Sequence, residues 1–243
     1  MNLCDYNTIR DLLARHGFHF SKSMGQNFLI DPEVPRRIAE VSGADETCGV
    51  LEIGPGIGPL TAELAQRAGK VVAVELDRAL LPVLAETMAP YPNVEIVPGD
   101  VLKLDLKALT AEKFPGLTPM VCATLPYNVT SPILEKLVET PCFPSFTVMI
   151  QREVARRLCA PQGSAEGGSF SLFLQYHMEP ELLFDVPPEK FLPAPKVTSS
   201  VIRCVRRDRP AVEVEDEAFF FKVVRGGFLL RRKTLANSLA AAR

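Results

Sequence analysis

Leu51-Glu52-Ile53-Gly54-Pro55-Gly56-Ile57-Gly58 is the stretch whose reading decides the fold. It follows a short apolar run at 50–53 and leads into an amphipathic segment at 60–68, so it reads as strand, glycine turn, helix. Glycines permit a tight turn and close approach to a ligand, and a helix N-terminus offers unpaired amides to it. Working outward, short apolar runs recur at 71–74, 94–97, 120–123 and 146–150, with helix-like stretches such as 78–88 and 132–139 between them. That alternation predicts βαβ units and a parallel sheet, its strands buried on both faces under flanking helices. The fold class expected is α/β and Rossmann-like.

The ends of the predicted strands carry the chemistry. A cofactor site in a doubly wound sheet forms at such ends. The second strand runs into Val74-Glu75-Leu76-Asp77, where the Glu75 carboxylate offers paired acceptors for the two hydroxyls of a ribose. Asp77 suits the cap of the next helix, which leaves Glu75 for the ligand. The third ends in Gly99-Asp100-Val101, putting a second carboxylate on the same edge, either as an adenine acceptor or as a turn aspartate. A hydride-transferring dehydrogenase would need a similar glycine loop and acid. The fourth strand end separates the two readings. Cys122-Ala123-Thr124-Leu125-Pro126-Tyr127 has no role in binding nicotinamide, but its proline and aromatic suit a base swung out of its stack.

Outside this core, residues 6–16 read as a short amphipathic helix and 21–31 as a polar loop. Residues 32–41 read as a helix, with Asp31 as its cap and Pro32 at its first position. Residues 179–186 and 197–206 read as strands joined by the proline-rich 187–195. Residues 163–171 form a Gly/Ser-rich flexible loop. From 214 onward the pattern is helical, with Phe219, Val223, Phe228 and Leu235 on an apolar stripe.

Composition sets limits. The 243 residues, 47% of them hydrophobic, suffice for one large domain and a smaller piece. The apolar runs are short and interrupted by charge, and no apolar signal region opens the chain, so no membrane partner is expected. Six scattered cysteines (Cys4, Cys48, Cys122, Cys142, Cys159, Cys204) lack metal-ligand spacing and read as buried free thiols of a reducing, cytoplasmic protein. The net charge of −2 gives no overall basic footprint. An RNA partner then needs a local basic face, for which Arg203, Arg206, Arg207 and Arg209 form one candidate group and Arg225, Arg231, Arg232 and Lys233 another.

Several segments occur together in one order: Gly25-Gln26-Asn27-Phe28-Leu29-Ile30-Asp31, Glu52-Ile53-Gly54-Pro55-Gly56, Glu75-Leu76-Asp77, Gly99-Asp100 and Leu125-Pro126-Tyr127-Asn128. Gln151-Arg152-Glu153-Val154-Ala155-Arg156-Arg157-Leu158, Phe191-Leu192-Pro193-Ala194-Pro195-Lys196-Val197 and the stretch from Arg231-Arg232-Lys233-Thr234 to Leu239 follow. With them, nearly the whole chain resembles the small-subunit ribosomal RNA methyltransferase A family, the adenine dimethylases. The resemblance implies a class I S-adenosylmethionine-dependent methyltransferase, with Asn27, Leu29, Gly54, Glu75, Asp100 and Thr124 around S-adenosyl-L-methionine. It further implies that Tyr127 and Phe191 sandwich a target adenine, while position 124 and the Leu125 carbonyl accept its amine hydrogens. The implied reaction is dimethylation of two adjacent adenines in the 3′-terminal hairpin of small-subunit (16S) ribosomal RNA, on the immature 30S subunit. A large-subunit adenine methylase is a close rival, and residues 191–197 and 231–239 fit the small-subunit branch better. With no zipper-like repeat, a monomer is expected.

Two features depart from the family pattern. Thr124 stands where the family carries Asn, and a hydroxyl is a shorter acceptor that also donates. Weakened turnover is expected, and a non-catalytic assembly factor on the same fold is the alternative. The family also usually continues past the Arg-Arg-Lys helix, so the expectation is a methyltransferase domain at 1–207 and a small, truncated C-terminal helical region at 208–243.

Overall fold

The computed structural model describes residues 1–18, 26–230 and 232–242. Gly25 and Arg231, with the first part of the 21–31 loop, lie outside these. In chain order the elements are α1 (Tyr6–Arg15), β1 (Phe28–Leu29), α2 (Glu33–Ser42), β2 (Cys48–Ile53), α3 (Pro59–Ala65), β3 (Lys70–Glu75), α4 (Leu81–Thr87) and β4 (Val94–Pro98). Then come α5 (Leu106–Lys113), β5 (Thr118–Thr124), α6 (Thr130–Glu139), β6 (Ser145–Gln151), α7 (Arg152–Leu158) and α8 (Ser169–His177). The chain ends with β7 (Met178–Val186), β8 (Phe191–Leu192), β9 (Ser199–Arg206), α9 (Glu217–Leu229) and α10 (Leu235–Ala241). The main sheet has seven strands in the order β4-β3-β2-β5-β6-β9-β7. Strands β4 to β6 are parallel, while β9 runs antiparallel to both neighbours. The order reverses between β2 and β5, which places a crevice at the carboxyl ends of those strands.

Alternating side chains explain the two-sided core. Leu51, Ile53, Val72, Val121, Phe146 and Val148 face one layer, and Val50, Val71, Met120, Cys122 and Met149 face the other. Strands β4 and β7 depart from uniform burial, because they are the sheet's edges and stay partly exposed.

Several local expectations change. The helix expected at 78–88 is a 3-10 turn, Arg78–Leu80, leading into α4. The 21–31 segment is not all loop, since Phe28 and Leu29 form β1, and the 187–195 link contains the matching strand β8. Helix α2 starts at Glu33 rather than at Pro32, which takes the cap position itself without a side-chain bond. Asp31 accepts from the Glu33 amide at 2.9 Å from just outside the helix. The Gly/Ser-rich loop stops short of Ser169, where α8 begins. The C-terminal helical stretch is two helices folded against each other. Ser238 joins them, donating to the Gly226 carbonyl at 2.7 Å and accepting from the Leu230 amide at 2.9 Å. Gly226 admits this approach, because a Cβ there would sit 3.0 Å from the Ala242 Cβ. The inward side chains of α9 are Phe220 and Phe221, which pack on Tyr176 of α8, the first tilted and the second edge-on. Phe219 and Leu235 from the expected stripe instead point outward, at 63% and 64% exposure. With three consecutive phenylalanines, periodicity alone did not choose the buried face.

Candidate active site

Four parallel strands end at one cavity of about 250 Å³, and every site residue named from the sequence lines it. Asn27 and Leu29 arrive from the N-terminal segment, Gly54 from the β2–α3 turn, Glu75 from the end of β3 and Asp100 from the turn after β4. Thr124 ends β5, Leu125 and Tyr127 follow it, and Phe191 comes from β8.

The β2–α3 turn works only with glycine at its bends. Gly54, Gly56 and Gly58 have φ of 69°, 64° and 93°, a region that costs a residue with a Cβ roughly 1–2 kcal/mol. At Gly56 a Cβ would also stand 3.4 Å from the Phe28 ring, so the turn and the N-terminal segment close on one another.

Glu75 is 6% exposed, and burial pushes its carboxyl above the ordinary range, opposed by the amides it accepts from. Oε1 accepts from the Asp77 amide at 2.7 Å and Oε2 from the Gly56 amide at 3.3 Å. Each oxygen of a carboxylate can accept twice, so capacity remains for two ligand hydroxyls. The residues present therefore fit the hydroxyls of a ribose. Asp77 does cap the following 3-10 turn, accepting from the Ala79 amide at 2.9 Å. Its other oxygen accepts from Gln26 Nε2 at 2.7 Å. Asp100 holds its own turn, with Oδ1 accepting from the Leu102 amide at 3.0 Å. The turn reading of Asp100 is thus met, its Oδ2 stands 3.7 Å from Lys103 Nζ, and the residue also lines the cavity.

At the other end, Leu125 donates its amide to the Met149 carbonyl at 3.0 Å, which ties the Thr124–Tyr127 elbow to β6. The Pro126 carbonyl accepts from Thr130 Oγ1 at 3.0 Å, fixing the elbow to the start of α6. Tyr127 is half-buried and shares a 2.5 Å hydrogen bond with Ser199 Oγ, which steadies the ring. Phe191 is buried, held by the pairing of Leu29 with Phe191 across β1 and β8.

Sequence reasoning missed several supporting residues. Ser199 and Lys190 carry no motif of their own. Glu52, a single charge inside an apolar strand, was a visible anomaly: it is 1% exposed and close enough to Glu75 to feel its charge. Two of the four arginines of the first basic group, Arg206 and Arg207, are spent on the protein itself. Arg206 donates to the carbonyls of Val138 at 2.9 Å and Phe143 at 3.1 Å, and Arg207 to that of Gln175 at 3.0 Å. Of the described residues in the second group, Arg225, Arg232 and Lys233 are exposed.

Residues 17–242 match the family described as ribosomal RNA adenine dimethylase. The chain is 50% identical over 233 residues to the ribosomal RNA small subunit methyltransferase A of Geobacillus sp. (strain WCH70), covering 95% of this chain and 80% of that one. It is equally, 50%, identical over 236 residues to the protein of the same name from Bacillus mycoides (strain KBAB4), covering 96% and 81%. Among solved structures it is similar to the 23S rRNA methyltransferase ErmE, with a TM-score of 0.73 and 30% identity over 88% of this chain and 84% of that one. It is also similar to a dimethyladenosine transferase from Plasmodium falciparum, with a TM-score of 0.71 and 25% identity over 87% and 74%. None of these names favours the non-catalytic alternative. The family match across nearly the whole chain and the cavity at the strand ends agree: this chain belongs to the S-adenosylmethionine-dependent ribosomal RNA adenine dimethylase family.

Proposed function

We propose that this enzyme dimethylates two adjacent adenines in the 3′-terminal hairpin of small-subunit ribosomal RNA, acting as a cytoplasmic monomer on immature 30S subunits. The observation that carries this reading is the single cavity that has ribose-competent Glu75 at one end and the Thr124–Tyr127 elbow at the other. Among the described residues no helix is long and apolar enough to cross a membrane.

In this reading Asn27, Leu29, Gly54, Glu75, Asp100 and Thr124 hold S-adenosylmethionine, which supplies an electrophilic methyl group. Glu75 takes the ribose hydroxyls and Asp100 the adenine amine of the cofactor. Tyr127 and Phe191 stack on the target base, each contact contributing about 1–3 kcal/mol toward the cost of unstacking it. The Leu125 carbonyl and the Thr124 hydroxyl accept the hydrogens of the target amine and aim its lone pair. The enzyme's contribution is positioning and polarisation. Residues 1–207 form the methyltransferase unit, and 208–243 contribute an RNA-binding helical region whose exposed cations meet phosphate.

Thr124 sets the rate. A hydroxyl on a short side chain reaches less far than the amide oxygen of Asn, and loss of one good positioning contact costs about 2.7–4 kcal/mol in comparable sites. Thr124→Asn is therefore expected to raise turnover about a hundredfold or more on immature small subunits, with cofactor and RNA affinity little changed. Methyl transfer followed by mass spectrometry of the hairpin tests both points. Equal rates for the two proteins would overturn the role of Thr124, and unmodified adenines with either protein would overturn the function.

A further inference from the structure

Leu29 and Phe191 lie on opposite sides of the proposed chemistry, one toward the cofactor and one toward the base, yet they are direct partners in a sheet. Strands β1 and β8 pair antiparallel, with Phe28 opposite Leu192 and Leu29 opposite Phe191. Two residues per strand are too few to be stable alone, and no hairpin turn joins strands so far apart in the chain. Something else must secure them.

Beside the pairing, the Ile30 amide donates to the Lys190 carbonyl at 2.9 Å. The Lys190 ammonium then reaches back to Asp31 Oδ2 at 2.6 Å. Asp31 is itself fixed, because its other oxygen takes the Glu33 amide at the start of α2. Toward the cofactor, the same segment touches the glycine turn through Phe28 and reaches Asp77 through Gln26. Residues 26–31 thus contact the cofactor-side loops along one edge and carry the strand of Phe191 along the other.

We propose that Lys190 and Asp31 are a positioning pair that couples cofactor binding to stacking of the target base. This rests on the site reading above, in which Leu29 faces cofactor and Phe191 faces adenine. A ligand that holds residues 26–31 against the glycine turn also favours the β1–β8 pairing, and so presents the Phe191 ring. Linkage then requires the converse: a stacked base must tighten cofactor binding by the same factor. Lys190 touches neither ligand in this arrangement; it acts only through the sheet.

Calorimetric titration of the full chain with S-adenosylhomocysteine, with and without the 3′-terminal hairpin RNA, reads this factor. In the parent the hairpin is expected to tighten S-adenosylhomocysteine binding about fivefold or more, the usual lower range of site–site coupling. Lys190→Ala and Asp31→Asn should bring the ratio close to one, while Lys190→Arg, which keeps the charge, retains it. Asp31→Asn preserves the oxygen that accepts from the Glu33 amide, so it reports on the ion pair rather than on folding. An unchanged ratio in both charge-removing variants, or a ratio of one in the parent, overturns the coupling. Failure of the underlying site reading looks different: Leu29→Ala would leave S-adenosylhomocysteine affinity unchanged, and Phe191→Ala would leave hairpin affinity unchanged.

Discussion

Among the carboxyls of the described residues, Glu52 departs furthest from its ordinary chemistry. It occupies an interior strand position, its Oε2 has no hydrogen-bond partner among the described residues, and burial raises its pKa to about 8. The nearby Thr61 hydroxyl opposes the shift without reaching good hydrogen-bond geometry, and the charge of Glu75 reinforces it. In the unfolded chain this carboxyl titrates near 4.5. Between that value and about 8 the native state holds a proton that the unfolded state has released, so stability falls as pH rises across the window. The contribution is fully present below the unfolded value and lost as pH climbs through the folded one. Glu52→Gln keeps the shape and carries no charge. Its stability relative to the parent should increase with pH through this window by up to about 1.4 kcal/mol per unit, then level off. Thermal melts across pH check this, and parallel profiles would exclude a proton held at Glu52. The residue was legible as an odd charge in an apolar run. Its neutrality was not, because that depends on Glu75 and on layers of side chains from α2 and α3.

At the scale of elements, the sequence placed the strands of the parallel core correctly and left their supports unread. Arg206 is the clearest case. It sits in a basic cluster that invites an RNA assignment, yet its guanidinium donates to three carbonyls at the end of α6 (Leu137, Val138 and Thr140) and to that of Phe143. Carbonyls at a helix C-terminus lack the next turn's amides; here Leu137's also accepts from the Thr140 amide at 3.3 Å, and a cation there complements the helix dipole. Arg206→Ala is expected to lower stability by about 1.5–3 kcal/mol, as for a charge-assisted hydrogen bond lost from a protected site. Urea unfolding measures the loss. A variant of unchanged stability that binds hairpin RNA more weakly would return Arg206 to the RNA face. Spacing could not reveal this role, since β9 and the α6 terminus are more than sixty residues apart and meet only through sheet order.

On the scale of the whole molecule, the cavity draws its lining from the N-terminal segment, four strand ends and β8, so a ligand there ties distant parts of the chain together. A ligand that binds only the native state at a hundred times its Kd stabilises it by about 2.7 kcal/mol. For a chain of this size that corresponds to a rise in Tm of about 5–10 °C. S-adenosylhomocysteine should produce such a shift, and Glu75→Ala should abolish most of it without lowering the Tm of the ligand-free protein comparably. No shift at saturating ligand would remove the cavity from the cofactor assignment. The sequence by itself determined the α/β class, the order of the parallel strands' chemistry and the residues that meet at their ends, because glycine turns, apolar periodicity and strand-end acids are local features read from neighbours in the chain. Only the tertiary structure decided that Leu29 and Phe191 share a sheet, that Ser199 steadies Tyr127, that Arg206 serves α6, and which face of α9 is buried. Each of those depends on contacts between segments far apart in sequence, where the outcome is set by packing and by which polar groups find partners.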